Sequence, residues 1–309
     1  MRSDVFYWVL NLSLHGGLVC LLLWLLRLVR PIPRRVIYPL WLGAGLRLTV
    51  PFAPSVPWSL MHLLQALGAR PVPLPNQPGA LAPHVPTGWP EAMNSVQAAA
   101  DYFPITYKTD ALHRLFSICA VIWIAGAALC LGAMAVCYVL WRRSLRRAEP
   151  LEEGVWVSSL VTTPGLVGVL RPRILVPPGT QGALLTYVVR HEQVHRRRLD
   201  NLWRLVALAV CCVHWFNPVV WLSLRLFFAD MELSCDEAVA HRLTPDQRRD
   251  YARALLSVAE GRDLFAAAFG GAGLRTRMEQ VLTYRRLTTG ASIVFALMTG
   301  AVLSALALG

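Results

Sequence analysis

Charged residues are scarce in this sequence. They make up 16% of its 309 residues, whereas a soluble domain of this size carries about a quarter. Because hydrophobic residues reach 55%, the composition excludes an ordinary soluble domain and indicates a membrane protein. Lysine is almost absent, with Lys108 alone, so the formal net charge of +12 comes from arginine. A nucleic-acid surface is the alternative explanation, but no supporting motif is present, and no direct nucleic-acid partner is predicted.

The sequence also lacks the cysteine patterns of two kinds of site. All seven cysteines lie in apolar runs or in the basic stretch after residue 141. This placement predicts no disulfide framework outside the cell. No C-x-x-C spacing occurs, which argues against a metal site built from cysteines alone.

Long apolar runs predict four membrane spans, at about residues 5–28, 36–56, 115–141 and 287–309. A bilayer core of ~30 Å needs about 20 residues in a helix. The alternative for the first run is a cleaved signal peptide, but the run is too long and lacks an Ala-x-Ala site. We therefore predict a retained span. Small residues in the third span, Ala125, Gly126 and Gly132, are expected where helices pack closely.

The distribution of arginine predicts the orientation of these spans. Residues 27–35 and 142–286 together hold 25 of the 30 basic residues, whereas residues 51–111 hold two. By the positive-inside rule, the two basic segments are cytoplasmic, while the N-terminus, the C-terminus and the loop 57–112 are extracytoplasmic. Since that loop is rich in proline, we expect it to be extended rather than to form a core.

The predicted domains are accordingly a membrane region at 1–141, a cytoplasmic domain at 142–286 and a fourth span at 287–309. In the cytoplasmic domain, the sequence predicts strands at 155–160, 166–170 and 173–177. A helix follows beyond Thr180, its expected N-cap, and continues unbroken to about residue 210. The predicted fold is thus mainly α, with an inserted α+β domain.

The strongest chemical signal is HEQVH at residues 191–195. His191 and His195 are four positions apart on the predicted helix and share one face, so both rings can reach one metal ion. Glu192 lies beside them, placed to take a proton from water rather than to bind the metal. The pattern predicts a zinc peptidase with one zinc ion per chain; a polar helix face with two exposed histidines is the alternative.

A catalytic zinc site usually has three protein ligands. The apolar stretch 203–228 is broken at Asn217-Pro218, which predicts a second helix from Pro218 to about residue 241. Polar candidates for the third ligand lie downstream of the motif: His214, Glu232, Cys235, Asp236, Glu237 and His241.

Among these candidates we favour Glu232 as ligand, with Asp236 on the same helix face orienting a ligand histidine. We expect His214 to be hydrogen bonded at the helix junction, Cys235 to be a packing residue, and Glu237 to lie on a solvated helix face.

Three segments of the sequence resemble the membrane-embedded gluzincin domain of the BlaR/MecR antirepressor metallopeptidases: VVRHEQVHRRRLDNL, HWFNPVVWLSLRLFFADMELSCDEAVA and LRTRMEQVL. The four-span layout, with a peptidase loop between spans three and four, is similar as well. The resemblance implies zinc bound by His191, His195 and Glu232, with Glu192 as general base and Asp236 behind the ligands.

The resemblance also implies a multi-pass protein of the plasma or inner membrane, which cleaves a cytoplasmic transcriptional repressor of the winged-helix type. The sequence is compatible with a homodimer and does not decide the oligomeric state. The beta-lactam-sensing members carry an extracellular penicillin-binding domain after the fourth span, and we expect a member that lacks it. Members of the family cleave themselves in the cytoplasmic loop, and the small-residue stretch 265–273 is the place where we expect such a cut.

Three other functions fit the same motif. A membrane quality-control protease would use the same residues. A site-2-type intramembrane protease would need a downstream Leu-Asp-Gly, which this sequence does not contain. A receptor with a structural metal site would not need Glu192. For the favoured zinc peptidase, the predicted substrate contact is the edge of a strand at 155–160 or 166–170.

Overall fold

The structure is a computed structural model that describes residues 2–28, 32–50, 110–143 and 148–285, with gaps at 153, 170 and 261–271, and isolated positions between 290 and 301. The predicted loop at 57–112 lies outside these residues almost entirely. So do most of the predicted fourth span, residues 51–56 of the second, and most of the stretch proposed for self-cleavage.

Within the residues that the structure describes, two helices are long and apolar enough to cross a membrane. They belong to α1 (Arg2–Leu28) and α3 (Asp110–Arg143), at the places predicted for the first and third spans. Their apolar windows are Val5–Leu28 and Arg114–Leu140, with mean hydropathies of 2.0 and 2.3. Helix α2 (Arg34–Thr49) has 16 residues, or about 24 Å, which is short of a bilayer core of ~30 Å.

Helix α2 lies between α1 and the helices of the second half of the chain. These are α4 (Gly182–Arg198), α5 (Asp200–Val213), α6 (Pro218–Ala240), α7 (Pro245–Glu260) and α8 (Leu274–Leu282). One buried apolar cluster joins three helices: it contains Leu23 of α1, Leu40 and Trp41 of α2, and Phe227 and Met231 of α6. Because lipid is as apolar as these side chains, close packing rather than transfer from water holds α1 and α2 against α6 in this cluster.

Four short strands form one sheet, in the order β1-β2-β4-β3. They are β1 (Glu149–Glu152), β2 (Val155–Val157), β3 (Gly165–Val167) and β4 (Arg173–Val176). The three predicted strands are confirmed in shorter form, whereas β1 was not predicted. All four residues of β1 are exposed and one is proline, so it lacks the apolar alternation by which strands are recognised.

The long helix predicted from Thr180 to about residue 210 is wrong in two respects. The Thr180 hydroxyl donates to the Pro177 carbonyl at 2.9 Å, and Gln181 takes the N-cap position of α4. The helix is also interrupted at Leu199, which adopts the left-handed conformation with φ 56° and separates α4 from α5.

The break predicted at Asn217-Pro218 is confirmed. The Asn217 side chain accepts the Val219 N–H at 2.9 Å and caps α6, whose first residue is Pro218. Proline suits this position because the first helical residues have no N–H partner to lose. Helix α6 then continues to Ala240 and passes behind α4.

Candidate metal centre

The two motif histidines meet on one face of α4, as their spacing predicted. The Nε2 atoms of His191 and His195 are 3.1 Å apart. Both residues are buried, with exposed fractions of 7% and 3%. Buried imidazoles are costly unless each polar atom has a partner, so the groups around each ring decide what this pair can do.

Glu232 of α6 faces the same two nitrogens. Its Oε2 lies 3.4 Å from His191 Nε2, and its Oε1 lies 3.6 Å from His195 Nε2. A tetrahedral zinc ion with ligand bonds of about 2.0–2.1 Å has ligand atoms about 3.3 Å apart. Two imidazole nitrogens and a carboxylate oxygen also form one of the usual zinc ligand sets. These residues therefore fit a zinc ion in both spacing and chemistry.

The other nitrogen of His191 faces a buried polar cluster. His191 Nδ1 lies 2.8 Å from the Tyr251 hydroxyl and 3.2 Å from Asp236 Oδ1. Tyr251 also donates to Asp236 Oδ1 at 2.6 Å. Asp236 thus lies where the sequence placed it, one helical turn beyond Glu232 and behind a histidine of the motif.

Arg277 of α8 completes this cluster and was not predicted as a site residue. Its Nε and Nη2 donate to the two oxygens of Asp236 at 2.7 and 2.9 Å, and its Nη1 lies 3.4 Å from Glu232 Oε2. Burial raises the pKa of the Asp236 carboxyl, but the Arg277 guanidinium outweighs this and lowers it to about 2. Asp236 is therefore an anion, and it can accept a hydrogen bond from the Nδ1–H group of His191.

Asp200 holds the other ring and was also missed. Its Oδ2 lies 2.6 Å from His195 Nδ1, and Asp200 is fully buried. A carboxylate at Nδ1 leaves the lone pair of Nε2 free for a metal. The only signal in the sequence was an acid five positions after the second histidine, which in an unbroken helix would point away from it.

Cys235 offers a second way to complete a metal site with the same histidines. The three residues place one ligand atom each within 4.8 Å of one another. However, Cys235 Sγ is 3.5 Å from His191 Nδ1 and donates to the His191 carbonyl. The Nδ1 atoms already face carboxylates, whereas both Nε2 atoms face Glu232, so the geometry favours Glu232.

The remaining candidates lie away from the histidine pair. His214 bonds the Leu48 carbonyl at 2.9 Å, which confirms the predicted junction role, and exposed His241 bonds the Tyr284 hydroxyl. The prediction of a solvated Glu237 is wrong. Glu237 is 7% exposed, because its carboxylate accepts the backbone N–H groups of Arg34 and Arg35, at the first turn of α2, at 2.9 and 3.0 Å.

A cavity of about 130 Å³ opens beside the histidines and is lined by Glu192, Glu232, Tyr251 and, from β3, Gly165 and Leu166. Glu192 is 7% exposed, and its carboxylate has no hydrogen-bond partner within the part of the chain that the structure describes. Strand β2 is paired on both sides, by β1 and β4, whereas β3 lies at the sheet edge. Of the two strands considered for substrate contact, β3 is the one that, within the described residues, both lies at a sheet edge and lines the cavity.

Comparison with known proteins finds related chains. A family model described as BlaR1 peptidase M56 matches residues 7–286. The regulatory protein BlaR1 of Bacillus licheniformis is 28% identical over 161 residues, which cover 48% of this chain and 27% of that protein. The methicillin resistance mecR1 protein of Staphylococcus aureus is 23% identical over 103 residues, or 32% of this chain and 18% of that protein. The matches thus span about a quarter or less of these relatives.

Proposed function

This chain belongs to the BlaR1 peptidase M56 family, and we propose that it is a membrane zinc endopeptidase with His191, His195 and Glu232 as metal ligands. The observation that carries the proposal is the convergence of these three residues, with donor atoms 3.1 to 3.6 Å apart. The cavity beside them, lined by Glu192, provides room for a water molecule and a peptide bond.

The chemistry follows from the residues around the cavity. A bound zinc ion lowers the pKa of a water molecule to around 7 and polarises a peptide carbonyl. Glu192 takes the proton of the attacking water on its carboxylate and returns it to the leaving amine. Asp236 and Asp200 hold the Nδ1 protons of His191 and His195, which keeps both rings in one orientation throughout the reaction.

Strand β3 is the proposed binding element for the substrate backbone. An extended peptide added to the free edge of β3 would pass Gly165 and Leu166, which line the same cavity as Glu192. Main-chain pairing of this kind binds many sequences, with side-chain pockets supplying selectivity. The Asn201 amide donates to the carbonyls of Leu166 and Gly168 at 2.8 and 2.9 Å, so a substrate that pairs with these carbonyls has to displace it.

The proposed substrate is a cytoplasmic transcriptional repressor, and the proposed role is transmembrane signalling. Two observations support this. One relative, BlaR1 of Bacillus licheniformis, is named a regulatory protein, and the arginine distribution of the chain predicts a cytoplasmic domain at 142–286 between spans three and four. In this arrangement the N- and C-termini and the loop 57–112 are extracytoplasmic.

Substitution of the proposed general base separates catalysis from metal binding. We expect Glu192→Gln to lower the rate of peptide cleavage by about 100- to 10,000-fold, because proton transfer by a positioned side chain contributes that much. The zinc content, measured on the purified protein, should stay near one per chain. Glu279→Gln is a matched control, because Glu279 is exposed and pairs with Arg275 one helical turn away. A wild-type protein without zinc, or an active Glu192→Gln variant, would remove the proposal.

The same variant identifies the substrate. A protein that still binds but no longer cleaves should retain its substrate, so material bound to Glu192→Gln in cells can be recovered and sequenced. A repressor among it supports signalling. Recovery of misfolded membrane proteins instead would favour a quality-control protease.

A further inference from the structure

Helix α2 reaches the metal centre through a single hydroxyl group. The Tyr38 hydroxyl donates to Asp200 Oδ1 at 2.8 Å, and Asp200 Oδ2 lies 2.6 Å from His195 Nδ1. Two hydrogen bonds therefore connect a helix of the predicted membrane region to the ring of a proposed metal ligand. No motif in the sequence places Tyr38 near this site, since it lies 162 positions from Asp200.

The orientation of Asp200 depends on this hydroxyl. Asp200 is fully buried, and its second charged partner is Arg198, whose Nη2 lies 3.1 Å from Oδ2 and whose Nε donates to Oδ1 at 3.3 Å. Without the Tyr38 hydroxyl, Oδ1 would keep only the longer of these bonds. A buried acceptor without a donor is costly. The carboxylate would therefore turn so that Oδ1 approaches the Arg198 guanidinium, and this rotation would lengthen the hydrogen bond between Oδ2 and His195.

Tyr38 is itself held in place by its ring. The ring stacks on Phe227 of α6, with centroids 5.6 Å apart and planes 14° apart, and the Arg198 guanidinium lies 4.4 Å over its centre. Trp41, one turn further along α2, donates to Asp230 of α6 at 2.8 Å. These contacts fix the position of α2 against α6, so a shift of α2 would move the hydroxyl relative to Asp200.

On these contacts, and assuming the proposed function, we propose that Tyr38 is a positioning residue of the metal centre. Its hydroxyl holds Asp200 in the orientation that fixes the Nδ1–H form of His195 and directs Nε2 toward the metal. Metal affinity is thereby linked to the position of α2. An event that displaces α2 therefore weakens the hydrogen bond between Asp200 and His195 without contacting any metal ligand.

The test is a zinc-affinity cycle on the full-length protein in detergent, measured by competition with a chromophoric chelator. Tyr38→Phe keeps the stacked ring and removes only the hydroxyl, and we expect zinc to bind about tenfold more weakly, the lower end of the range for residues behind metal ligands. Asp200→Asn should weaken it further. If Tyr38 acts through Asp200, the double variant should bind zinc no more weakly than Asp200→Asn alone.

A matched control is Tyr284→Phe, which removes a tyrosine hydroxyl bonded to a histidine at the surface and should leave zinc affinity unchanged. The visible spectrum of the cobalt(II)-loaded protein gives a second readout, and should change in Tyr38→Phe but not in the control. Wild-type affinity in Tyr38→Phe, or full additivity in the double variant, overturns the role of Tyr38 while the peptidase proposal stands. A wild-type protein that binds no zinc overturns both.

Discussion

At the scale of single residues, the chemistry depends on which ring nitrogens of the two histidines are free. His191 Nδ1 faces Asp236 and Tyr251, and His195 Nδ1 faces Asp200. Glu232 approaches both Nε2 atoms, and Arg277 Nη2 also lies 3.4 Å from that of His191. A carboxylate on the outer nitrogen fixes the proton there and increases the basicity of the inner one.

This arrangement predicts different outcomes for the two candidate third ligands. Glu232→Gln should lower zinc affinity by more than about 100-fold, exceeding the usual loss for a residue behind a ligand. Cys235→Ala should leave zinc bound, because Cys235 Sγ lies on the Nδ1 side of His191. Zinc content after dialysis against a weak chelator distinguishes them. Loss of zinc in Cys235→Ala with retention in Glu232→Gln would assign the cysteine as ligand.

At the scale of helices, the break at Leu199 makes the outer carboxylate available. In an unbroken helix Asp200 would lie about 140° around the axis from His195. The left-handed Leu199, with φ 56°, reverses the chain and brings Asp200 back to the ring. A non-glycine residue in this conformation costs about 1–2 kcal/mol. A buried hydrogen bond to a charged group contributes about 1.5–3 kcal/mol, which offsets that cost.

Helix α3 is joined to the rest of the molecule through a different contact. Trp123 of α3 donates to the Val213 carbonyl at 2.8 Å, and Trp215 donates back to the Trp123 carbonyl at 3.2 Å. Gly126 makes room for the second indole: a Cβ there would lie 2.6 Å from Trp215 Nε1. The close packing predicted for this span is thus confirmed at Gly126 but not at Gly132, where an added Cβ would meet no described atom within 4 Å.

Two glycines of α3 should therefore respond differently to the same substitution. Gly126→Ala forces Trp215 to move and should lower the free energy of unfolding by about 1–3 kcal/mol, the usual cost of overpacking. Gly132→Ala has no atom within 4 Å of the added Cβ and should be neutral or stabilising, since alanine favours a helix over glycine. Thermal unfolding in detergent measures both, and equal effects would mean that α3 does not pack on Trp215.

At the scale of the whole molecule, buried charged residues link α1 and α2 to α6, the helix that carries the proposed ligand Glu232. Arg27 of α1 donates to both oxygens of Asp230 at 3.0 and 2.8 Å, and Asp230 is fully buried. Glu237 accepts the first N–H groups of α2, where a helix N-terminus favours an anion. Both acids lie on α6, on either side of Glu232, so the site and the membrane region form one packed unit.

The orientation of this unit in the membrane can be tested directly. An epitope tag inserted in the loop 57–112 should be accessible to antibody on intact cells. A tag inserted at 261–271 should be accessible only after the membrane is permeabilised, because the arginines predict a cytoplasmic face for residues 142–286. The reverse pattern would contradict the predicted topology and, with it, a cytoplasmic substrate.

The sequence by itself determined the features that depend on local periodicity. His191 and His195 share a face because a helix repeats every 3.6 residues, and Glu232 and Asp236 do so for the same reason. The apolar runs predicted α1 and α3, and proline with asparagine predicted the start of α6. The supports of the site could not be found this way. Arg277 lies 41 positions from Asp236 and Tyr38 lies 162 from Asp200.

Tertiary structure alone decided these supports, because they depend on how helices pack rather than on spacing along one helix. The same is true of two acids. The sequence pattern predicts Glu237 on the surface, but α2 packs over it, and Asp200 reaches His195 because Leu199 adopts the left-handed conformation. The histidine motif thus located the proposed metal site in the sequence. The long-range hydrogen bonds that hold its rings, and the contact that ties one of them to α2, required the fold.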